Sequence, residues 1–192
     1  MTTPLHEIPD IDESTLRRVA AHASALRPDD VAILRAQLGR FPRGLVGIGA
    51  RCVCGNPAVT ITYPQLPDGS PFPTLFYLTL PELVRDISRL ESTGQMVEFN
   101  ERLAVDEDYR HAHERAHRSY LERRSLLADV PQIANFSAGG MPDRVKCLHA
   151  LAGYALAVGA GIVPVGDETL ARVGWDSKVC RCEKPYGGKD EA

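Results

Sequence analysis

The sequence has no apolar run approaching the roughly 18 residues that a membrane-spanning helix requires, so we expect no membrane insertion. Its start lacks the basic and apolar segments of a secretion signal, which predicts a cytoplasmic protein with reduced thiols. A dominant charge is also missing, because 22 basic and 25 acidic residues leave a formal net charge of −3. We therefore expect no nucleic-acid partner, and any anion site must be local.

The 192 residues contain enough apolar material for one hydrophobic core. Hydrophobic residues make up 44% and charged residues 24%, which is typical of a globular domain. Single cores commonly serve chains of this length. We predict a mobile leader, one globular domain and a disordered tail, at residues 1–12, 13–182 and 183–192.

The chain changes its periodicity near Pro81. Before that residue, short runs bounded by glycine and proline predict strands at residues 44–50, 58–63 and 74–80. The other elements read as helices. These lie at about residues 29–38, 83–90, 106–127 and 168–173, with a buried helix that follows Pro142 and ends at Gly159. The predicted class is α+β, with a small antiparallel sheet (about residues 44–80) packed against a mostly helical C-terminal part.

Four of the five cysteines form two tight pairs, Cys52-Val-Cys54 and Cys180-Arg-Cys182. Thiols spaced so closely cannot bridge each other without strain, whereas one soft cation can gather both thiolates of such a turn. The pattern therefore predicts a metal site. Ordinary buried thiols and a catalytic or disulfide-exchanging pair remain as alternatives.

The fifth cysteine, Cys147, stands two residues before His149 in an apolar segment. On a regular helix, positions two apart point about 200° away from each other, so only one of the two can face a given ion. We favour Cys147 as the ligand. His149 is then a buried residue that supports the site or an alternative ligand.

The segment His113-Glu-Arg-Ala-His117 matches the zinc-protease pattern H-E-x-x-H letter for letter. Helices of that kind are largely buried, whereas this segment lies in a run of charged residues. No third ligand follows it. We therefore predict a surface helix with charge pairs four residues apart, and keep His117 only as an alternative ligand.

A glycine turn at Gly139-Gly140 precedes the predicted buried helix and would present free N–H groups to an anion. The turn lacks the full phosphate-loop pattern, and Asp143 would oppose an anion, so an ordinary helix cap is the alternative. Basic side chains elsewhere could converge on the same place. The candidate anion-binding residues are Arg40, Arg43, Arg51, Arg144 and Lys146.

Four long motifs occur between about residues 30 and 180. They are Gln37-Leu-Gly-Arg-Phe-Pro-Arg-Gly, Arg51-Cys-Val-Cys-Gly-Asn-Pro, Leu66-Pro-Asp-Gly-Ser-Pro-Phe-Pro-Thr-Leu-Phe-Tyr-Leu-Thr and Ser137-Ala-Gly-Gly-Met-Pro-Asp-Arg-Val-Lys-Cys-Leu-His. Together they resemble an actinobacterial family, the domain-of-unknown-function family 501. The resemblance implies no established activity. Its members are often encoded beside a septum-formation initiator, which implies a link to division or envelope proteins as partners.

The resemblance also ranks the candidate ligands. Positions matching the family pattern are Cys52, Cys54, Cys147 and His149, together with Ala116, His117, Tyr120 and Leu121. Relatives often have a cysteine at the position of Leu80 and a histidine at that of Tyr154. If either were an obligatory ligand, this chain would have to compensate for it, and Cys180 and Cys182 are the candidates.

These observations favour a metal-binding protein in which Cys52, Cys54, Cys147 and one or both C-terminal cysteines bind zinc or an iron–sulfur cluster. An alternative is an enzyme or sensor that acts on a phosphorylated small molecule through the basic cluster. A third is an adaptor for division proteins that uses the helix around His117, which would need a large apolar surface patch.

Overall fold

A computed structural model of the chain describes residues 7–182. Three strands lie in the first half of the described chain: β1 Leu45–Arg51, β2 Pro57–Thr62 and β3 Phe76–Leu78. The helices are α1 Glu13–Val19, α2 Asp30–Leu38, α3 Pro81–Ser92, α4 Gln95–Val105, α5 Glu107–Ser125, α6 Leu148–Val158 and α7 Pro164–Arg172, with a short 3-10 turn at Pro131–Ile133. Part of the predicted leader and all of the predicted tail lie outside the described residues.

The three strands form one antiparallel sheet in the order β1-β2-β3. Every residue of the central strand β2 is buried, and its register pairs Val59 with Leu78 and Thr60 with Ile48. The predicted strands and the α+β class are thus confirmed. β3 is shorter than predicted. No helix in the described part of the chain is both long and apolar enough to cross a membrane.

The buried helix α6 packs directly on the sheet and on α7. A side chain at Gly166 of α7 would collide with the carbonyl oxygen of Leu151, so the small residue is what allows the two helices to approach. α6 confirms the predicted buried helix, but its start differs. It begins at Leu148 because residues 139–147 form a turn in which the Lys146 N–H donates to the Gly139 carbonyl at 2.6 Å.

Two helices escaped sequence-based prediction. α1 begins after Asp12, whose carboxylate accepts the N–H of Thr15 at 3.0 Å and caps the helix. α4 begins directly after Gly94, which has a left-handed backbone (φ 84°). The sequence predicts this glycine as the end of α3, and it also serves as the start of the next helix.

Helix α5 is more buried than its charged sequence suggests. Its buried residues recur every three or four positions, so one face of the helix is buried while the other faces carry charged residues. The buried residues are Tyr109, His113, Ala116, Tyr120 and Arg124. α5 is therefore a surface helix, as predicted, but the sequence analysis did not identify its buried face. The hydropathy of the segment did not reveal this buried face, because the face contains a histidine, two tyrosines and an arginine.

The aromatic centre of the core joins α5, α6 and the sheet. The rings of Phe76 and Tyr154 are stacked with their centroids 5.4 Å apart, and Tyr120 contacts both rings edge-on. The buried Tyr120 hydroxyl accepts the N–H of Leu75 at 2.6 Å and donates to the carbonyl of Pro73 at 3.1 Å. α5 is thereby fastened to the segment that leads into β3.

Arg124 at the end of α5 is only 4% exposed and holds the following loop. Its guanidinium donates to the carbonyl oxygens of Ile133, Phe136 and Pro73. Buried carbonyl groups without a donor destabilise the folded state, so this one side chain satisfies backbone groups from two separate segments.

We expect the substitution Arg124→Met to lower the free energy of unfolding by roughly 2 to 3 kcal/mol, because the buried carbonyl group of Ile133 and the part-buried one of Phe136 lose this donor. Urea denaturation measures the change. Arg115→Met is the matched control, since Arg115 is exposed on the same helix. Equal effects of the two substitutions would contradict the role given to Arg124.

Candidate metal centre

Cys52 and Cys54 lie in the tight turn that joins β1 to β2. The Cys52 N–H donates to the Asn56 carbonyl at 2.9 Å, and the Gly55 N–H donates to the Cys52 carbonyl at 2.8 Å. Gly55 has φ 95°, a conformation that residues with a Cβ avoid. The glycine therefore permits the turn that carries both thiols.

A buried ion pair holds this turn in place. Both guanidinium NH₂ groups of Arg51 bind the Asp30 carboxylate at 2.7 Å, and one of them also donates to the Gly55 carbonyl at 3.0 Å. The side chain of Asp30 is 2% exposed and also accepts the Arg27 N–H at 2.7 Å. Such a two-point contact restricts orientation as well as distance, so α2 orients the cysteine turn.

The segment after α7 brings the second cysteine pair to the same place. Arg181, which stands between Cys180 and Cys182, binds the Asp86 carboxylate of α3 at 2.9 Å and the Val173 carbonyl at 3.0 Å. The C-terminal pair is thus held by contacts that are independent of any metal.

The four paired cysteines converge on one point. The sulfur atoms of Cys52, Cys54, Cys180 and Cys182 all lie within 4.8 Å of one another, and Cys54 Sγ is 3.6 Å from Cys182 Sγ. Cys182 Sγ also lies 3.6 Å from the Asn56 side-chain amide, which can donate to it. Cys52 is buried, whereas Cys54 and Cys180 are exposed. The group can therefore bind an ion that enters from solvent.

The thiols of Cys52, Cys54 and Cys182 differ in acidity. Burial raises the pKa of the Cys52 thiol, but the N–H groups of Cys54 and Arg181 outweigh it, so its pKa lies below the ordinary value. Burial raises the pKa of Cys54 and of Cys182, and for Cys182 the neighbouring thiols raise it further. Four thiolates in so small a space would repel each other, and a bound cation would remove that repulsion.

Cys147 does not join this group. It lies instead with Glu91 of α3 and His149 of α6, and one ligand atom from each of the three falls within 4.8 Å of the others. The prediction that Cys147 and His149 point in opposite directions was wrong. Cys147 is the N-cap residue with extended φ and ψ (−150°, 112°), so helical phase does not apply to it.

The two histidines of the H-E-x-x-H segment serve separate contacts. His117 Nδ1 lies 2.8 Å from the Ser137 hydroxyl, whereas His113 is fully buried with Nε2 3.4 Å from the Arg144 carbonyl. Burial lowers the pKa of both. Within residues 7–182, neither histidine belongs to a group of three potential metal ligands.

The candidate anion-binding residues occupy different surroundings. Arg51 forms an ion pair with Asp30, whereas Arg40 and Arg43 line a small cavity beside Tyr77. Arg144 and Lys146 belong to the turn before α6 and do not line that cavity. The cavity beside Tyr77 therefore gathers only two of the five candidate residues.

The surface of α5 lacks the patch that an adaptor would need. Among residues 7–182, the exposed large hydrophobic side chains all lie on other segments: Leu26, Phe41, Val53, Tyr77, Val97, Val105, Phe136 and Val179. The helix around His117 presents charged residues to solvent instead.

Sequence reasoning missed three carboxylates that organise the cysteines: Asp30, Asp86 and Glu91. The sequence predicts Asp30 only as part of a helix start. Asp30 does lie in the first turn of α2, but it also binds Arg51. The others lie on α3, far along the chain from the cysteines they serve. Only the folded structure shows that Asp86 binds Arg181 and that Glu91 contacts His149.

A family model described as "Protein of unknown function (DUF501)" matches residues 48–171, which is more than half of the chain. The matched span contains Cys52, Cys54 and the whole Glu91, Cys147 and His149 group, and it ends before Cys180 and Cys182. No curated protein and no solved structure matches the chain significantly.

We expect Asp30→Asn to lower the free energy of unfolding by about 3 kcal/mol, because it leaves the largely buried Arg51 guanidinium without its counter-charge. Chemical denaturation measures the loss. Asp29→Asn is the matched control, because Asp29 is exposed and makes no side-chain cap bond. If both substitutions lower the free energy of unfolding by the same amount, the ion pair does not hold the turn.

Proposed function

We propose that this chain, which belongs to the family described as Protein of unknown function (DUF501), binds one zinc ion through the thiolates of Cys52, Cys54, Cys180 and Cys182. One observation carries the proposal: four sulfur atoms from two distant segments lie within 4.8 Å of one another. Thiolates are soft ligands that favour zinc among the common divalent ions.

The spacing of the sulfur atoms supports a single ion over an iron–sulfur cluster. With Zn–S bonds of about 2.3 Å, the sulfurs of a tetrahedral site stand roughly 3.8 Å apart. Cys54 and Cys182 are 3.6 Å apart. In a cluster, inorganic sulfide separates the iron atoms, and the four thiolates must stand farther from each other. An iron–sulfur cluster is thus the less favoured alternative.

The donor set supports a structural role for the ion. Four protein ligands complete a tetrahedral shell and leave no position for a reactive water molecule. The ion would join the β1–β2 turn to the segment after α7, and its binding energy would stabilise the fold. Reduced thiols are what such a site requires, in keeping with the cytoplasmic setting expected from the sequence. The expected link to division or envelope proteins is not needed for this proposal.

Metal analysis of the purified protein tests the proposal. We expect about one zinc per chain, and loss of that zinc in Cys54→Ser and in Cys182→Ser, because three thiolates bind zinc less tightly than four. Cys147→Ser is the matched control and should keep its zinc. Absence of metal, or equal loss in all three variants, would contradict the proposal.

A second measurement separates zinc from iron. Protein prepared without oxygen should show no visible absorption and no acid-labile sulfide if the site holds zinc. A coloured protein that releases sulfide, and loses both properties in Cys54→Ser, would replace zinc by an iron–sulfur cluster.

A further inference from the structure

The group formed by Glu91, Cys147 and His149 is distinct from the four-cysteine centre and has its own chemistry. His149 Nδ1 lies 3.2 Å from Glu91 Oε1. Its Nε2 lies 3.1 Å from the Val84 carbonyl oxygen and 3.1 Å from the Ser88 hydroxyl. Each ring nitrogen therefore faces an oxygen of helix α3.

These partners determine the protonation of the imidazole. A carbonyl oxygen only accepts, so the nitrogen facing Val84 carries a proton. Glu91 Oε1 also accepts the Leu148 N–H at 2.7 Å, so this oxygen is an acceptor, and the other ring nitrogen faces it as a second donor. With both nitrogens protonated, His149 has no lone pair for a metal ion. The geometry points to an imidazolium beside Cys147 rather than to a second metal site.

The position of Cys147 favours the thiolate. It is the N-cap residue of α6, where the free N–H groups of the first turn attract negative charge. Burial raises the pKa of the Cys147 thiol, but contact with His149 and with the Ala150 N–H outweighs it and leaves the pKa below its ordinary value. The same contact with Cys147 is the main cause that raises the pKa of His149 to about 9. Glu91 and His149 are the charged groups that act on this thiol.

We propose that Cys147 is a nucleophilic cysteine that peroxides oxidise, with His149 as the proton donor and Glu91 as the residue that positions His149. Cys147 is partly exposed, so a small reactant can reach it. The cavity of about 550 Å³ that α4 and α5 line does not include Cys147. A peroxide needs no preformed pocket, and it can accept two electrons from a thiolate.

The proposed step conserves atoms and charge. The Cys147 thiolate attacks one peroxide oxygen, an S–O bond forms and the O–O bond breaks. Sulfur loses two electrons, and the peroxide is reduced to hydroxide. The His149 imidazolium gives its proton to the hydroxide, which leaves as water. Within residues 7–182 no second cysteine joins this group, so returning the sulfenic acid to a thiol requires an external thiol.

Residue-resolved labelling of the zinc-loaded, full-length protein tests this inference. Trypsin cleaves after Lys146 and Arg172 and releases residues 147–172, a peptide whose only cysteine is Cys147. We treat the protein with hydrogen peroxide in the presence of dimedone, which traps sulfenic acid, and quantify the label by mass spectrometry. Cys147 should be labelled before the other cysteines, and His149→Gln should slow its labelling about tenfold.

The pH dependence of alkylation separates reactivity from structure. With iodoacetamide, Cys147 should react at lower pH than the same peptide in denatured protein, because thiolate is the reactive form. His149→Gln should move this profile to higher pH, and a thiol pKa raised by about one lowers the rate at pH 6 about tenfold. Glu91→Gln should move it less, because the Glu91 carboxylate by itself raises the pKa of Cys147 while it positions His149. His111→Gln, an exposed histidine on α5, is the matched control and should leave the profile unchanged.

Three outcomes would overturn the inference. Cys147 could react no faster at pH 6 than the denatured protein, or its profile could be unchanged in His149→Gln while circular dichroism shows a folded variant. A second zinc per chain that His149→Gln removes would show instead that the group is a metal site. The zinc content of Cys147→Ser is measured in parallel. If this variant keeps its zinc, the reactivity of Cys147 is tested independently of the four-cysteine centre.

Discussion

The contact between Arg51 and Asp30 is the constraint on which the cysteine centre depends. A largely buried ion pair is stable only when its polar atoms have partners. Here both carboxylate oxygens of Asp30 bind guanidinium nitrogens of Arg51. The pair joins the start of α2 to the end of β1, one residue before Cys52. The first two thiols are consequently held by the sheet and by α2, before any ion is present.

Helix α3 connects this centre to the second cysteine site. Its Asp86 holds Arg181, and therefore the C-terminal thiols, while its Glu91 holds His149 and the first N–H of α6. One rigid element thus orients two chemically different thiol sites. The two sites differ because one offers four sulfur donors, whereas the other pairs a single sulfur with a protonated imidazole. The family model covers α3 and the whole second group, but not the C-terminal pair.

Local patterns were enough for most of the fold. Glycine and proline bounded the strands, and the all-round apolar character of α6 marked the buried helix. The buried face of α5 was missed because its buried positions are polar types, Tyr120 and Arg124 among them, whose partners come from other segments. α1 and α4 were missed because their apolar positions are few and the Gly94 signal is ambiguous. Burial of a polar side chain is a property of its surroundings, and no periodicity in one segment contains it.

The sequence by itself determined that the paired thiols are suited to a soft ion, because the chemistry of thiolates and the spacing of each pair are local properties. Only the tertiary structure decided which thiols lie close enough to share one ion. It joined Cys52 and Cys54 to the C-terminal pair, more than 120 residues away, and assigned Cys147 to Glu91 and His149. The physical reason is that ligand geometry is set by distances between segments, which depend on the packing of α2, α3 and α6 rather than on spacing along the chain.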